Sequence, residues 1–262
     1  TYTYGNADWK DLLTAFDNQT ITYDQIGNPL SYYNGTRWNF TWGNGRNLKT
    51  ATNGTDSISY TYEADGQRVT KTVNGVVHTY YYADGLLRRE TYGDTTLDFF
   101  YDGNGVPFSM LQNRNTMYYY VTNMEGDVIR LVDWMGNIAA MYQYDPYGGE
   151  VYALGSHAEI NPLRYRGYYY DAETELYYLN SRYYDPATGR FLNMDSQVAG
   201  IEGAVVGYNL FSYCFNDPIN KSDSNGNWPK WAKKVVAAVA VVAVVAVVAA
   251  VTVATAGAGS IA

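Results

Sequence analysis

A chain of 262 residues is long enough to bury one or two sizeable cores and too long for a single minimal module. Its 18 basic residues against 26 acidic ones leave a formal charge of -8, which argues against a nucleic-acid footprint, because phosphate binding needs clustered Lys and Arg. One cysteine, Cys214, excludes an internal disulfide, and two isolated histidines, His78 and His157, form no metal-ligand spacing, so no metal or other cofactor is expected.

The 29 Tyr and 25 Gly, together with many Asn, Asp and Thr residues, favour strands joined by tight turns, so the bulk of the chain is expected to be β. The opening residues, "TYTYGNADWK", carry neither the charged start nor the apolar core of a signal peptide and enter in mid-pattern. Asn-x-Ser/Thr sequons at Asn18, Asn34, Asn39, Asn53 and Asn220 follow from a composition rich in Asn and Thr turns.

In chain order, the first feature is a repeat. An aromatic followed by a turn glycine recurs in "YDQIG" from Tyr23, "WGNG" from Trp42, "YEADG" from Tyr62 and "YADG" from Tyr82. It continues in "YDGNG" from Tyr101, "TNMEG" from Thr122 and "YDPYG" from Tyr144, with successive starts 19 to 22 residues apart. That period accommodates two short strands and two turns, so each repeat is expected to be a β-hairpin. Alternation in stretches such as "ISYTYEADGQRVTKTV" puts aromatic and apolar residues on one face, which side-by-side stacking would bury continuously. The tyrosines are read as packing and cross-strand pairs, with a glycan-binding aromatic surface as the alternative.

These units resemble the YD repeats of the RHS family, whose "YD..G" hairpins wind a β-sheet spiral into a hollow shell. After Gly149 the period lapses, and "YDAETELYYLNSRYYDPATGRF" (Tyr170 to Phe191) with "NLFSYCFNDPIN" (Asn209 to Asn220) resembles the RHS repeat-associated core domain. The resemblance implies three parts: repeats forming a curled shell over 1–155, a core domain over 156–228, and an apolar segment over 229–262 that begins the C-terminal cargo region. It also implies a bacterial polymorphic toxin, secreted or at the cell surface. Its partners would be its own encapsulated toxin region and a subunit or domain that caps the shell.

In family members that release their toxin, the core domain is similar to an aspartic self-cleaving peptidase. Carried across, the two aspartates are Asp195, after "GRF", and Asp223, with Gly226 matching the motif glycine and the cut falling near Asn227 and Trp228. Two apposed carboxylates cannot both ionise readily, so they share a proton and divide the roles of base and acid. Pro229 has no N–H and makes a tertiary amide that is a poor candidate for cleavage, so the Asn227–Trp228 bond is preferred to the following Trp228–Pro229 bond. Both family "DP" dipeptides read "DS" here, at Asp195-Ser196 and Asp223-Ser224, which removes a stiffening proline after each carboxylate. Arg182 and Arg190 are the basic residues nearest this region; Arg190 is the preferred partner for a carboxylate, and pairing of either with Asp171, Glu173 or Asp185 is the competing arrangement. Taken on residue types alone, both aspartates read as turn residues.

Residues 235–251 are only Val and Ala. A helix over 235–255 would be about 31 Å long, enough to cross a hydrocarbon core. Lys230, Lys233 and Lys234 flank it, and Trp228 and Trp231 suit an interface. Three readings stay open: a permanent anchor, a translocation element for cargo, or a segment held inside the shell until release. The rival function is a non-catalytic adhesion protein that binds glycans or cells through its repeats and is anchored by this tail.

Overall fold

A computed structural model describes residues 1–194, 209–223 and 226. Among them the chain is antiparallel β, in three sheets. A small sheet of Tyr2–Thr3, Ala15–Phe16 and Gln19–Thr20 opens the chain. A fourteen-stranded meander follows in strict sequence order, from Thr22–Tyr23 to Glu150–Leu154, and these two strands are its edges, so it closes into no barrel. The third sheet contains Tyr169–Asp171, Leu176–Tyr178, Tyr183–Asp185 and Arg190–Phe191. Helical geometry among the described residues is limited to two three-residue 3-10 turns, Tyr165–Gly167 and Cys214–Asn216. No helix among them is long and apolar enough to cross a membrane. The apolar run expected to be helical over 235–255 lies outside the described residues.

Each sequence motif is a strand end and its turn. The pairing register slips by a bulge at the first residue of every motif, at Tyr23, Trp42, Tyr62, Tyr82, Tyr101, Thr122 and Tyr144. The turn then passes through Gly27, Gly45, Gly66, Gly85, Gly105, Gly126 and Gly148, whose φ values lie between +73° and +91°, a region that a side chain would strain. Bulges bend a strand and add twist, so repeating one every two strands turns the sheet in the same sense throughout.

The motif aromatics also lock one hairpin to the next. Tyr62, Tyr101 and Tyr144 donate through their hydroxyls to the carbonyls of Leu48, Leu87 and Val128 at 2.9, 2.9 and 2.8 Å, and Trp42 donates from Nε1 to Pro29 at 2.7 Å. Two positions before Trp42, Tyr62, Tyr82, Tyr101, Thr122 and Tyr144 lies a further aromatic on the same face, since side chains alternate along a strand. Phe40, Tyr60, Tyr80, Phe99, Tyr120 and Tyr142 are all buried in this way.

This aromatic face is covered by the segment after residue 156. Tyr32 donates to Asp185 at 2.7 Å, Tyr62 and Tyr183 hydroxyls lie 3.0 Å apart, Tyr120 donates to Asn161 at 2.9 Å and Tyr142 to the Ala158 carbonyl at 3.1 Å. At the centre, Arg68 is fully buried among the rings of Tyr60, Tyr80, Tyr169, Tyr178 and Tyr183, 4.4 to 5.9 Å from their centroids. Its guanidinium meets Asp171 at 2.5 Å, and Lys71 binds both Asp171 and Glu173 at 2.9 Å. Asp171 and Glu173 therefore pair with repeat-sheet cations rather than with Arg182 or Arg190. Burial alone would raise the Asp171 carboxyl, but Arg68 and Lys71 hold it below its ordinary range.

Removing one partner of this pair leaves the other as an uncompensated buried charge. Arg68→Met and Asp171→Asn are each expected to cost about 3 to 5 kcal/mol, measured from denaturant midpoints, while Arg68→Met with Asp171→Leu costs less than the two singles summed. Asp185 presents the opposite case. Burial pushes its carboxyl up to about 6, partly offset by hydrogen bonds from Tyr32 and Thr188. The folded state therefore holds a proton that the unfolded chain, with an ordinary carboxyl near about 3.9, has lost. This site's contribution to stability is full below about pH 4 and is lost as pH rises through about 6. In Asp185→Asn that pH-dependent component disappears, checked by comparing thermal midpoints of variant and wild type across this window.

Candidate functional site

Asp223 lies in the segment 209–223, which is held against the third sheet by three groups of the core module. The first is Arg166, at positive φ in the 3-10 turn, which reaches from Asp127 in a repeat turn to the carbonyl of Pro218. The second is Tyr168. Its hydroxyl accepts the Asp223 backbone N–H at 3.0 Å and lies 3.0 Å from the Tyr213 hydroxyl. Tyr213 in turn packs on Tyr184, with ring centroids 4.1 Å apart.

The third is Arg182. It sits just after the hairpin turn between Leu176–Tyr178 and Tyr183–Asp185, where Asn180 takes positive φ and the Leu179 N–H donates to the Arg182 carbonyl at 2.9 Å. Its guanidinium lies over the Phe191 ring at 3.6 Å and donates to the Leu210 carbonyl at 3.1 Å and to the Gly226 carbonyl through Nε. One of its terminal nitrogens is 3.9 Å from the Asp223 carboxylate, which is 2% exposed. A buried carboxylate and a carbonyl three residues further on thus face the same guanidinium.

Gly226 is required by its surroundings. It has φ +71°, and a Cβ there would lie 2.7 Å from both the Leu179 carbonyl oxygen and Ser181 Oγ. The glycine lets the backbone lie on the Leu179–Arg182 turn, within reach of Arg182.

Arg190, the preferred carboxylate partner, is placed elsewhere. It is drawn to the N-terminal segment, donating to the Tyr4 hydroxyl at 3.2 Å and to the Asp11 carbonyl at 2.5 Å, with the Tyr4 and Phe211 rings each 5.4 Å away. Its neighbour across the strand pair, Asp185, is satisfied by Tyr32 and Thr188. Asp195, Asn227 and Trp228 lie outside the described residues. Met194, the residue before Asp195, does share a cavity of about 200 Å³ with Ser181, Arg182, Arg46 and Asp65.

Arg182 was legible in the sequence only as one of two candidates, and Tyr168 not at all. Its signal was present in the run Tyr168-Tyr169-Tyr170, where alternation sends Tyr169 to the Arg68 cage and Tyr168 to Asp223. Cys214 is buried, and its thiol is pushed up to about 12, chiefly by loss of solvent. The reactive thiolate is therefore suppressed. A thiol reagent such as DTNB at about pH 8 is expected to label Cys214 orders of magnitude more slowly in the native protein than after unfolding.

With this geometry in place, the family model named teneurin YD-shell matches residues 4–219. Over 225 residues the chain is 36% identical to a protein named tRNA nuclease WapA from Bacillus subtilis (strain 168), covering 82% of this chain and 9% of that relative. Over 101 residues it is 41% identical to toxin subunit YenC2 from Yersinia entomophaga, covering 37% of this chain and 10% of the relative. Among solved structures, one titled TcdB2-TccC3-Cdc42 superposes with a TM-score of 0.64 at 22% identity, covering 87% of this chain and 13% of that one. The chain thus spans about a tenth of the length of these two relatives.

Proposed function

This chain belongs to the teneurin YD-shell family, and on that premise we propose that it is the closing portion of a toxin-encapsulating shell whose core module cuts its own chain between Asn227 and Trp228. The observation that carries this reading is the Arg182 contact set. One guanidinium holds the Gly226 carbonyl, one residue before the proposed scissile peptide, and faces the buried Asp223 carboxylate.

In the proposed reaction, Asp223 and Asp195 share one proton. The ionised member takes a proton from water as its oxygen bonds to the Asn227 carbonyl carbon, and the protonated member delivers its proton to the Trp228 nitrogen as the C–N bond breaks. One water is consumed, and the products are a new carboxyl at Asn227 and a new amine at Trp228. Because the substrate is tethered to the catalytic group, an encounter step is replaced by positioning, and each molecule turns over once. Arg182 fixes the substrate by the Gly226 carbonyl and keeps a positive charge beside the carboxylate that must act as base.

The repeats would form the curled wall around the cargo, and the apolar segment 235–255 would act on a membrane after release. A secreted location fits a family that includes toxin subunits. The partners would be the C-terminal cargo and a subunit or domain that caps the shell's open end.

Mass spectrometry of the folded chain tests the cut. The wild type is expected to yield a fragment beginning at Trp228, and Asp223→Asn and Asp195→Asn to remain whole. Gly226→Ala, which forces a Cβ into the Leu179 carbonyl, is expected to slow cleavage by about 10²-fold, the cost of displacing a substrate by about 1 Å. A wild-type chain that stays intact when folded would overturn the self-cleavage reading.

A further inference from the structure

The cavity beside Arg182 is closed on one side by residues that the core module does not supply. Arg46 follows the turn glycine Gly45 in the connection between strands Arg37–Gly43 and Asn47–Thr52, deep within the repeat region. Its guanidinium donates to the Met194 carbonyl, and its own carbonyl accepts a hydrogen bond from Asn193 Nδ2 at 3.3 Å. The contact is reciprocal: a repeat side chain holds core backbone, and a core side chain holds repeat backbone. Asn193 is buried, while Arg46 and Met194 are half-buried.

Arg46 and Met194 line the same 200 Å³ cavity as Arg182, which donates to the Gly226 carbonyl and faces Asp223. The Arg46 clamp therefore fixes Asn193 and Met194 relative to the guanidinium that holds the Gly226 carbonyl. We propose that Arg46 is a positioning residue of the self-cleavage site, so that the core module becomes competent to cut only when seated on the repeat sheet. The inference rests on the self-cleavage reading above. It adds a dependence that the core residues alone do not imply: a repeat turn completes the site, and folding of the shell wall precedes the cut.

The alternative is a staple that joins two modules and contributes stability alone. Arg37 supplies the matched control. It too ties two stretches of chain through a backbone carbonyl, donating to Thr20 at 2.6 Å and to the Gln19 side chain at 2.7 Å, but it lies outside the cavity. The experiment follows cleavage of the intact 262-residue chain during pulse-labelled cell-free synthesis, with Asp223→Asn as the uncut reference.

Arg46→Ala is expected to slow the appearance of the Trp228 fragment by about 10- to 100-fold, as for a misplacement on the order of 1 Å. Arg46→Lys, which keeps a donor to the Met194 carbonyl, is expected to recover much of the rate, while Arg37→Ala cleaves at the wild-type rate. Thermal midpoints of Arg46→Ala and Arg37→Ala are expected to match. Cleavage of Arg46→Ala at the wild-type rate, with Asp223→Asn still uncut, would overturn the positioning role and leave the self-cleavage reading standing. Equal slowing in Arg37→Ala and Arg46→Ala would also overturn it, as would an Arg46→Lys chain no faster than Arg46→Ala. An uncut wild type overturns both.

Discussion

The placement of Arg68 decides how the two halves of this protein meet. A guanidinium taken wholly out of water costs several kcal/mol unless charge and geometry repay it. Here the repayment comes from Asp171, which also binds Lys71, and from the faces of five tyrosines around the cation. Two of those rings, Tyr60 and Tyr80, belong to the repeat sheet, and three, Tyr169, Tyr178 and Tyr183, belong to the core module. Neither half could bury Arg68 alone. Since the Nε and one terminal nitrogen still lack a hydrogen-bond partner, the cluster stabilises less than its contacts suggest and acts mainly to select one seating.

From that seating the remaining geometry follows. The cage orients Tyr169 and Asp171 toward the sheet, and alternation then turns Tyr168 the other way, toward Asp223. The same hairpin that contributes Tyr178 to the cage carries Arg182 beyond its turn. A strand register shared by a structural ion pair and a candidate site means that a shift in one moves the other. The repeat sheet reaches the site a second time through Arg46, some twenty residues before Arg68 and one repeat away.

The repeating wall solves a different problem. Fourteen strands in sequence order would form an open, two-edged sheet with only the ordinary strand twist if each hairpin were regular. A bulge and a positive-φ glycine at every motif remove that regularity at a fixed interval, and the motif aromatics Tyr23, Trp42, Tyr62, Tyr101 and Tyr144 bond to the neighbouring backbone. Part of the tyrosine content is thus mechanical: the hydroxyls of Tyr23, Tyr62, Tyr101 and Tyr144 each satisfy a backbone carbonyl of the preceding hairpin.

The sequence by itself determined the hairpin wall, because aromatic spacing, period-two alternation and turn glycines are local properties that one strand imposes on the next. It also determined that Asp223 and Gly226 stand close together, since Gly226 follows Asp223 by three positions. What only the tertiary structure decided was which arginine lies against Asp223 and Gly226. Arg182 and Arg190 are alike in sequence, each in a short strand region beside aromatic residues. Arg190 is claimed by Tyr4 and Asp11 at the other end of the chain, while Arg182 sits at a hairpin turn that folds over Gly226. Arg46 was invisible for the same reason: an arginine after a turn glycine is ordinarily solvated, and its contact with Met194 spans about 150 residues. Contacts at that separation depend on how two modules dock, which burial of Arg68 settles and local pattern does not.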